Sequence, residues 1–219
     1  DEMDKLYTAL SAKAKATPSG DAVADDIGLG RAEDNAEAGK VAAEFVKKDR
    51  DGRSVKLSDY KGKYVLLDFW GSWCGACRAS HPHLKEVNAK YAPKGLVIIG
   101  ISEERTSDKA AWLKAIKEDG LPWTQIMNDE GKAQSDVVKL YGVQAFPTKI
   151  LIGPDGKIIM RMEGTNVTGG GSSGGSGSST NAGSAASSTT SAASSSSNEE
   201  MTKFPPNRLD TKLHEIFKS

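Results

Sequence analysis

The sequence predicts an α/β fold in which a mixed central sheet is flanked by helices. Two apolar runs indicate this, Tyr64–Trp70 and residues 96–101. Each run has the length of one buried strand and falls far short of the about 20 apolar residues that a membrane span needs. The segment between them has helical spacing, so we expect a right-handed βαβ unit with parallel strands. Residues 148–152 and 157–162, joined by a turn sequence, add an antiparallel hairpin that makes the sheet mixed.

Residues 1–40 are interpreted as a helical and loop extension in front of the domain. Apolar residues at helical spacing within residues 1–16 predict a short amphipathic helix, which ends at the TPSG sequence of residues 17–20. The acidic, glycine-bearing segment at residues 21–40 is expected to be a loop or a weak helix.

The domain itself is predicted to span residues 41–164 and to begin with a β-hairpin. Residues 43–48 alternate in the manner of a strand, Asp51-Gly52 is a turn sequence, and residues 55–57 pair back. A helical turn then leads into the first central strand.

An inserted helix-strand unit is predicted after the second central strand. Trp112 and Ile116 lie on one face of a helix that Gly120 ends, and residues 123–127 follow as a short strand. Just before this unit, the charged run at residues 103–105 stands at the carboxyl end of a strand, where α/β sheets place their sites. Such a run is more often a solvated loop than a partner contact, and we expect a solvated loop here.

The end of the chain combines a low-complexity segment with a helix. Within residues 165–203 a long run contains only Gly, Ser, Ala and Thr apart from Asn181, which is too little apolar surface to fold. This segment is therefore expected to be a disordered insertion, with an engineered linker as the alternative origin. In residues 204–219 the cap residue Asn207 precedes an apolar face, which predicts a last helix of the domain that returns to cover the sheet.

Composition argues against two classes of partner. The chain carries 29 Lys and Arg residues against 29 Asp and Glu, so it has neither the basic footprint of a nucleic-acid-binding protein nor a basic membrane surface. No apolar run approaches the length of a membrane span, and the first residues lack the basic and apolar regions of a signal peptide. We therefore expect no nucleic-acid partner and no membrane span in this chain.

The chemistry of the sequence is concentrated in its 2 cysteines, Cys74 and Cys77, at the turn between the first central strand and its helix. Only a thiolate is a nucleophile, and a free cysteine has a pKa near ~8.5. If Cys74 caps the helix, unpaired backbone N–H groups and the helix dipole favour its anion. Cys77 lies one turn further on the same face and can attack a mixed disulfide at Cys74. We expect Cys74 to be the exposed attacking residue and Cys77 the resolving one.

Three other interpretations of the cysteine pair compete with this one. A structural zinc site needs four ligands, and only His81 joins the two cysteines on the helix face. An inert disulfide at this spacing closes a very small loop and constrains the unfolded chain little. Two idle buried thiols do not fit the neighbouring Trp73 and Gly75, which favour an exposed turn. We therefore expect redox chemistry and no metal.

The WCGAC sequence at residues 73–77, which follows an apolar strand, resembles the active site of the thioredoxin fold. The longer sequence LSDYKGKYVLLDFWGSWCGAC resembles extracytoplasmic thiol-disulfide oxidoreductases of the TlpA/ResA type. The resemblance covers residues 41–162 and extends to the last helix. It implies a thioredoxin fold with an N-terminal hairpin and the family's helix-strand insertion.

The resemblance also implies a function. The chain would reduce disulfides of client proteins outside the cytoplasm, using a redox-active Cys74–Cys77 disulfide and no other cofactor. An upstream thiol reductant would then restore the dithiol. An oxidase or isomerase that runs the same exchange in reverse, and a protein-binding module regulated by its thiols, remain alternatives. A peroxidase of the same superfamily is not expected, because the PxxxTxxC pattern is missing.

Individual residues take their expected roles from the same resemblance. Asp68 matches the buried carboxylate that takes and returns the proton of the resolving cysteine. The alternative for Asp68 is a strand-end residue that binds a backbone amide. Pro147 matches the cis-proline opposite the cysteines, with an ordinary trans proline as the alternative. The substrate-docking residues implied by the resemblance are Trp73, Gly75, Ala76, Phe146 and Pro147.

Two positions depart from the family pattern. Ala76 stands where the usual CGPC sequence has proline, and the residues between the cysteines tune the stability of the thiolate and therefore the redox potential. Ser80 stands where ResA-type proteins have a glutamate, so any role of that carboxylate is not carried over. The direction of electron flow is therefore left open by the sequence.

Overall fold

The computed structural model describes residues 2–164 and 207–218. No helix in these two ranges combines the length and apolar character that crossing a bilayer requires. The helices are α1 Glu2–Ala9, α2 Ala12–Lys15, α3 Pro18–Asn35, α4 Gly75–Tyr91, α5 Lys109–Asp119, α6 Val137–Leu140 and α7 Arg208–Phe217. The strands are β1 Val46–Lys48, β2 Ser54–Lys56, β3 Tyr64–Trp70, β4 Leu96–Ser102, β5 Thr124–Met127, β6 Thr148–Ile152 and β7 Ile158–Glu163.

A five-stranded mixed sheet forms the centre of the domain, with the order β5-β4-β3-β6-β7. The central strand β3 pairs in parallel with β4 and antiparallel with β6. The crossover from β3 to β4 passes through α4, as the βαβ prediction requires. The hairpin β1-β2 forms a separate small antiparallel sheet. This arrangement confirms the predicted α/β fold with its mixed sheet, N-terminal hairpin and inserted helix-strand unit.

Alternation along β3 divides its side chains between two cores. Leu66 and Trp70 belong to the core that includes the inner face of α4. Leu67 and Phe69 belong to the core on the other side of the sheet. Because successive side chains of a strand point to opposite faces, Asp68 shares the α4 side with Leu66 and Trp70. A carboxylate is therefore placed inside the same apolar core as the cysteines.

The N-terminal extension contains more helix than the sequence indicated. Two short helices, α1 and α2, replace the single expected one, and α3 occupies the segment expected to be a loop or a weak helix. The cause lies at the TPSG sequence: the Thr17 hydroxyl accepts a hydrogen bond from the Gly20 N–H at 3.1 Å, and Pro18 occupies the first turn. Both features begin helices. An ion pair of 2.8 Å between Asp25 and Lys139 connects α3 to α6.

The last helix, α7, packs into the core beneath α4. Asn207 and Asp210 form a reciprocal capping box at its first turn. Leu209 and Leu213 are both 0% exposed and belong to the core that contains Trp70. The predicted insertion at residues 165–203 lies outside the described residues.

Candidate active site

The candidate site lies where β3 ends and α4 begins. Cys74 is the residue that caps α4, and its Sγ accepts a hydrogen bond from the Cys77 N–H at 3.2 Å. In the turn before it, a Cβ on Gly71 would lie 2.5 Å from the indole nitrogen of Trp73, so a larger residue there would displace that side chain. The backbone therefore delivers Cys74 to the point where the unpaired N–H groups of a 17-residue helix emerge.

The two cysteines are joined in a disulfide, with an S–S distance of 2.05 Å. The sequence predicts an exposed Cys74, but in this oxidised form Cys74 is 7% exposed and Cys77 is 1% exposed. Both belong to the core beneath α4, which covers them from the sheet side. Cys74 nevertheless remains the more accessible of the two sulfur-bearing residues.

Aromatic side chains border the cysteine turn. Trp73 is 61% exposed, and its indole N–H donates to the Glu103 carbonyl at 3.0 Å. Its ring packs edge-on against Phe146 with the ring centroids 5.6 Å apart. The Phe146–Pro147 peptide bond is cis, the isomer that the resemblance implies. The loop before β6 is thereby brought against the turn, whose residues Gly75 and Ala76 are exposed.

Asp68 lies beneath this turn in a buried ion pair. It is 1% exposed, and across the antiparallel register its neighbour on β6 is Lys149, which is 0% exposed. The Lys149 Nζ lies 2.9 Å from Asp68 Oδ1, although its direction of approach is not that of a hydrogen bond. Lys149 also donates to the Ser80 hydroxyl at 3.3 Å, and that hydroxyl donates to the Cys77 carbonyl at 2.8 Å. A continuous set of polar contacts therefore connects Asp68 with Cys77.

The strand-end alternative for Asp68 does not describe what is observed. Neither oxygen of its carboxylate has a hydrogen-bond partner among the described residues, so no backbone amide of that part of the chain holds it. Sequence reasoning did not identify Lys149 as its partner. The available signal was a lysine within the apolar run TKILI of β6, where a charge is out of place unless it is paired.

A second buried group on α4 faces Asp68. His81 is 0% exposed, and its Nε2 lies 3.9 Å from Asp68 Oδ2. On the other side of the ring, Nδ1 lies 2.7 Å from Asp119 Oδ2 at the end of α5. Burial raises the pKa of Asp119, but hydrogen bonds from Arg78 and His81 outweigh it and leave that pKa below its usual value. His81 thus pairs with carboxylates, and residues 2–164 and 207–218 contain no cluster suited to a metal ion.

The charged run at residues 103–105 is only in part the solvated loop that the sequence indicated, because Arg105 is exposed but Glu103 and Glu104 are drawn inward. The Glu104 side chain is buried, and its carboxylate accepts a hydrogen bond from the Ser72 N–H in the cysteine turn. Glu103 accepts from Asn128 at 2.6 Å and from the Lys132 ammonium at 2.8 Å. The carboxylates are drawn inward because they satisfy donors of neighbouring loops, and Glu104 thereby fixes the turn that carries Cys74.

The sequence and the fold are similar to those of known redox proteins. The profile of the AhpC/TSA family matches residues 38–161. The thiol-disulfide oxidoreductase ResA of Bacillus thuringiensis subsp. konkukian is 36% identical over 132 residues, which cover 60% of this chain and 73% of that protein.

Two solved structures extend the similarity to three dimensions. The thioredoxin domain of a thiol-disulfide oxidoreductase from Bacteroides vulgatus is 37% identical, with a TM-score of 0.53, and the match covers 59% of this chain and 91% of that one. A thiol:disulfide interchange protein from Bacteroides sp. is 38% identical, with a TM-score of 0.52 and coverage of 57% and 82%. These similarities confirm the resemblance drawn from the sequence.

Proposed function

The chain belongs to the AhpC/TSA family and is a thioredoxin-fold thiol-disulfide oxidoreductase; we propose that it reduces the disulfides of client proteins through Cys74 and Cys77. The observation that carries this proposal is the disulfide at the first turn of α4, above a buried carboxylate. The electrons reside on the two sulfur atoms, so the exchange requires no additional cofactor.

The first step is attack by the Cys74 thiolate on one sulfur of a client disulfide. The client S–S bond breaks, a mixed disulfide with Cys74 forms, and the other client sulfur leaves as a thiolate that takes a proton from water. The Cys77 N–H, which points at Cys74 Sγ, and the helix dipole favour the attacking anion. Placement at a helix N-terminus is worth about 0.3–1 kcal/mol at an exposed site and more in a buried one.

The second step releases the client. The Cys77 thiol gives its proton to the Asp68 carboxylate and attacks Cys74 Sγ. The Cys74–Cys77 bond forms, the mixed disulfide breaks, and the second client sulfur leaves as a thiolate. Two electrons have then passed from the enzyme to the client, and an upstream thiol reductant must reverse the exchange to restore the dithiol.

Client docking is assigned to the surface around the cysteine turn. The exposed Trp73, packed edge-on against Phe146, supplies an apolar border. Gly75 and Ala76 leave the approach to Cys74 free of large side chains, and the imide nitrogen of Pro147 has no N–H to engage the client. An extended client segment fits such a surface better than a folded one, because it can present both its sulfur and its backbone.

We further propose that residues 41–164 and 204–219 form one domain, with residues 1–40 as an extension and residues 165–203 as an insertion. The burial of Leu209 and Leu213 in the core beneath α4 supports this division. A location outside the cytoplasm is proposed from the resemblance to TlpA/ResA-type proteins. Labelling of reduced Cys74 in intact cells by a membrane-impermeant maleimide would test the location, and protection until lysis would contradict it.

The redox potential of the Cys74–Cys77 pair tests the direction of electron flow. Equilibration with dithiol or glutathione buffers should give a value near ~−270 mV, as for thioredoxin, whereas a value near ~−120 mV would mark an oxidase. Client identity follows from a Cys77→Ser variant, because mixed disulfides with Cys74 then persist. The matched control is the Cys74→Ser variant, which should trap none; equal trapping by both would contradict the assigned roles.

A further inference from the structure

Two buried polar groups face each other beneath the disulfide, and each has a facing atom that makes no hydrogen bond among the described residues. Asp68 is 1% exposed and His81 is 0% exposed, and 3.9 Å separates Asp68 Oδ2 from His81 Nε2. Within the described residues neither Asp68 oxygen nor His81 Nε2 has a hydrogen-bond partner. Leaving such groups unsatisfied is costly in a protein interior, so their retention at this place requires an explanation.

The opposite side of the imidazole leads toward the surface. The His81 Nδ1 lies 2.7 Å from Asp119 Oδ2, which fixes Nδ1–H as the donor and leaves the Nε2 lone pair directed to Asp68. Asp119 is 13% exposed in its side chain and is held by an ion pair of 2.7 Å with Arg78. A proton arriving at Nε2 can therefore leave from Nδ1 toward a carboxylate that solvent reaches.

The resolving step creates a need for such an exit. Asp68 is sealed from water by the core beneath α4, and the Lys149 ammonium at 2.9 Å stabilises its ionised form. A proton that reaches Asp68 therefore has no direct route to solvent. An imidazole accepts protons at neutral pH far better than a carboxylate does, so passing the proton onward makes the transfer from Cys77 more favourable.

We propose that His81 and Asp119 form a proton relay that carries the Cys77 proton from Asp68 to the surface, an inference that rests on the proposed function. The Asp68 carboxyl donates the proton to His81 Nε2, His81 releases its Nδ1 proton to Asp119, and Asp119 passes it to water. One proton leaves Cys77 and one enters solvent, and the electron pair left on Cys77 forms the new S–S bond. A rotation of the Asp68 carboxyl closes the gap of 3.9 Å.

Several charged and aromatic groups surround the His81 imidazole. The charged groups of the relay and its surroundings are Asp68 on β3, Lys149 on β6, Asp119 and Glu118 on α5, and Arg78 and Lys85 on α4. The rings of Trp70 and Trp123 pack edge-on against the imidazole and keep water away from it. Since His81 acts through Asp68 and touches no sulfur of the exchange in these contacts, it is a positioning residue.

Stopped-flow reaction of the reduced protein with an equimolar aromatic disulfide that releases a coloured thiolate separates the two steps. The first release reports attack by Cys74, and the second reports resolution by Cys77. The His81→Asn variant keeps an amide donor toward Asp119 but cannot pass a proton. We expect the rate of the first release to stay within about twofold of the wild-type rate. The rate of the second release should fall by about tenfold or more, toward the ~10²–10⁴-fold contribution of positioned acid–base groups.

The pH profile separates a relay from a packing role. The acid limb of the pH profile of the second release should become shallower in His81→Asn than in the wild type, because one group of the relay has been removed. The Asp119→Asn variant keeps an oxygen that accepts from His81 Nδ1, and it should also slow the second release. It provides the test if His81→Asn does not fold. The matched control is His83→Gln, two residues further on α4 and paired with Asp210 at 2.9 Å, which should leave both releases unchanged.

An unchanged second release and acid limb in both variants would overturn the relay. Equal slowing of both releases would also overturn it, because His81 would then only support the helix. Loss of the first release in the wild type would contradict the proposed function itself, and the relay with it.

Discussion

Replacing Lys149 with methionine removes one charge of a buried pair while keeping most of the side-chain volume. The Lys149 Nζ lies 2.9 Å from Asp68 Oδ1, and the two side chains are 0% and 1% exposed. At that distance two unit charges attract by about 6 kcal/mol at an effective dielectric constant of about 20. Desolvation offsets part of this attraction in the wild type, but the variant leaves Asp68 buried without its cation. We expect the free energy of unfolding to fall by about 3–5 kcal/mol at neutral pH.

A double-mutant cycle with Asp68→Asn isolates the pair from the loss of packing. Denaturant titrations of the oxidised proteins give the free energy of unfolding of the wild type, both single variants and the double variant. Because the double variant holds neither charge, it should be less destabilised than the sum of the single variants, by about 2–3 kcal/mol.

An exposed pair of nearly equal length provides the control. Lys139 lies 2.8 Å from Asp25, but the two side chains are 51% and 67% exposed. Solvent screens this pair, so Lys139→Met should leave the unfolding midpoint unchanged within error. Additive effects at Lys149 and Asp68, or a Lys149→Met protein as stable as the wild type, would refute the assignment of Lys149 as the partner that stabilises the Asp68 anion.

Two further predictions concern the border of the site. Burial raises the pKa of Asp119, but Arg78 and His81 lower it to a greater extent, so the unfolded state binds the proton more readily. The wild type should therefore be more stable than Asp119→Asn at neutral pH, and this difference in the free energy of unfolding should be lost as the pH falls below about 4. Denaturant titrations at several pH values measure it, and a difference that grows in acid would contradict the prediction. The Trp73→Ala variant should raise KM for a protein client about tenfold, which corresponds to ~1.4 kcal/mol, and should leave the rate with a small aromatic disulfide within about twofold. An equal loss of activity on both substrates would contradict a docking role and place Trp73 in the chemical step.

Local patterns were sufficient to predict the elements that carry the cysteines. The apolar run Tyr64–Trp70 corresponds to β3 residue for residue, and Cys74 caps α4 after a turn in which its N–H donates to the Gly71 carbonyl at 3.0 Å. The Gly120 at the end of α5 adopts a left-handed conformation, as a helix-ending glycine should. Each of these features depends on neighbours within one or two turns of the chain, which is why the sequence alone reveals them.

The partners of Asp68 depend on pairings that sequence spacing does not contain. Lys149 comes opposite Asp68 only through the antiparallel register of β3 and β6. Asp119 meets His81 only because α5 packs beside α4. The helix α3 was underestimated for a different reason, since its glycines lower helix propensity while contacts with the domain support it. Tertiary packing decided these cases against the local preference.

The serine at position 80 is consistent with the proposed acid–base role of Asp68 on the sheet, because it adds no carboxylate on the helix. The ResA-type proteins that this chain resembles carry a glutamate at this position on the active-site helix. Here the Ser80 hydroxyl donates to the Cys77 carbonyl at 2.8 Å and accepts from Lys149 at 3.3 Å, without adding a charge. A second carboxylate there would compete with Asp68 for the single ammonium of Lys149. The serine leaves that ammonium to Asp68, which suits the proposed mechanism, in which the Cys77 proton passes to Asp68 and then to His81.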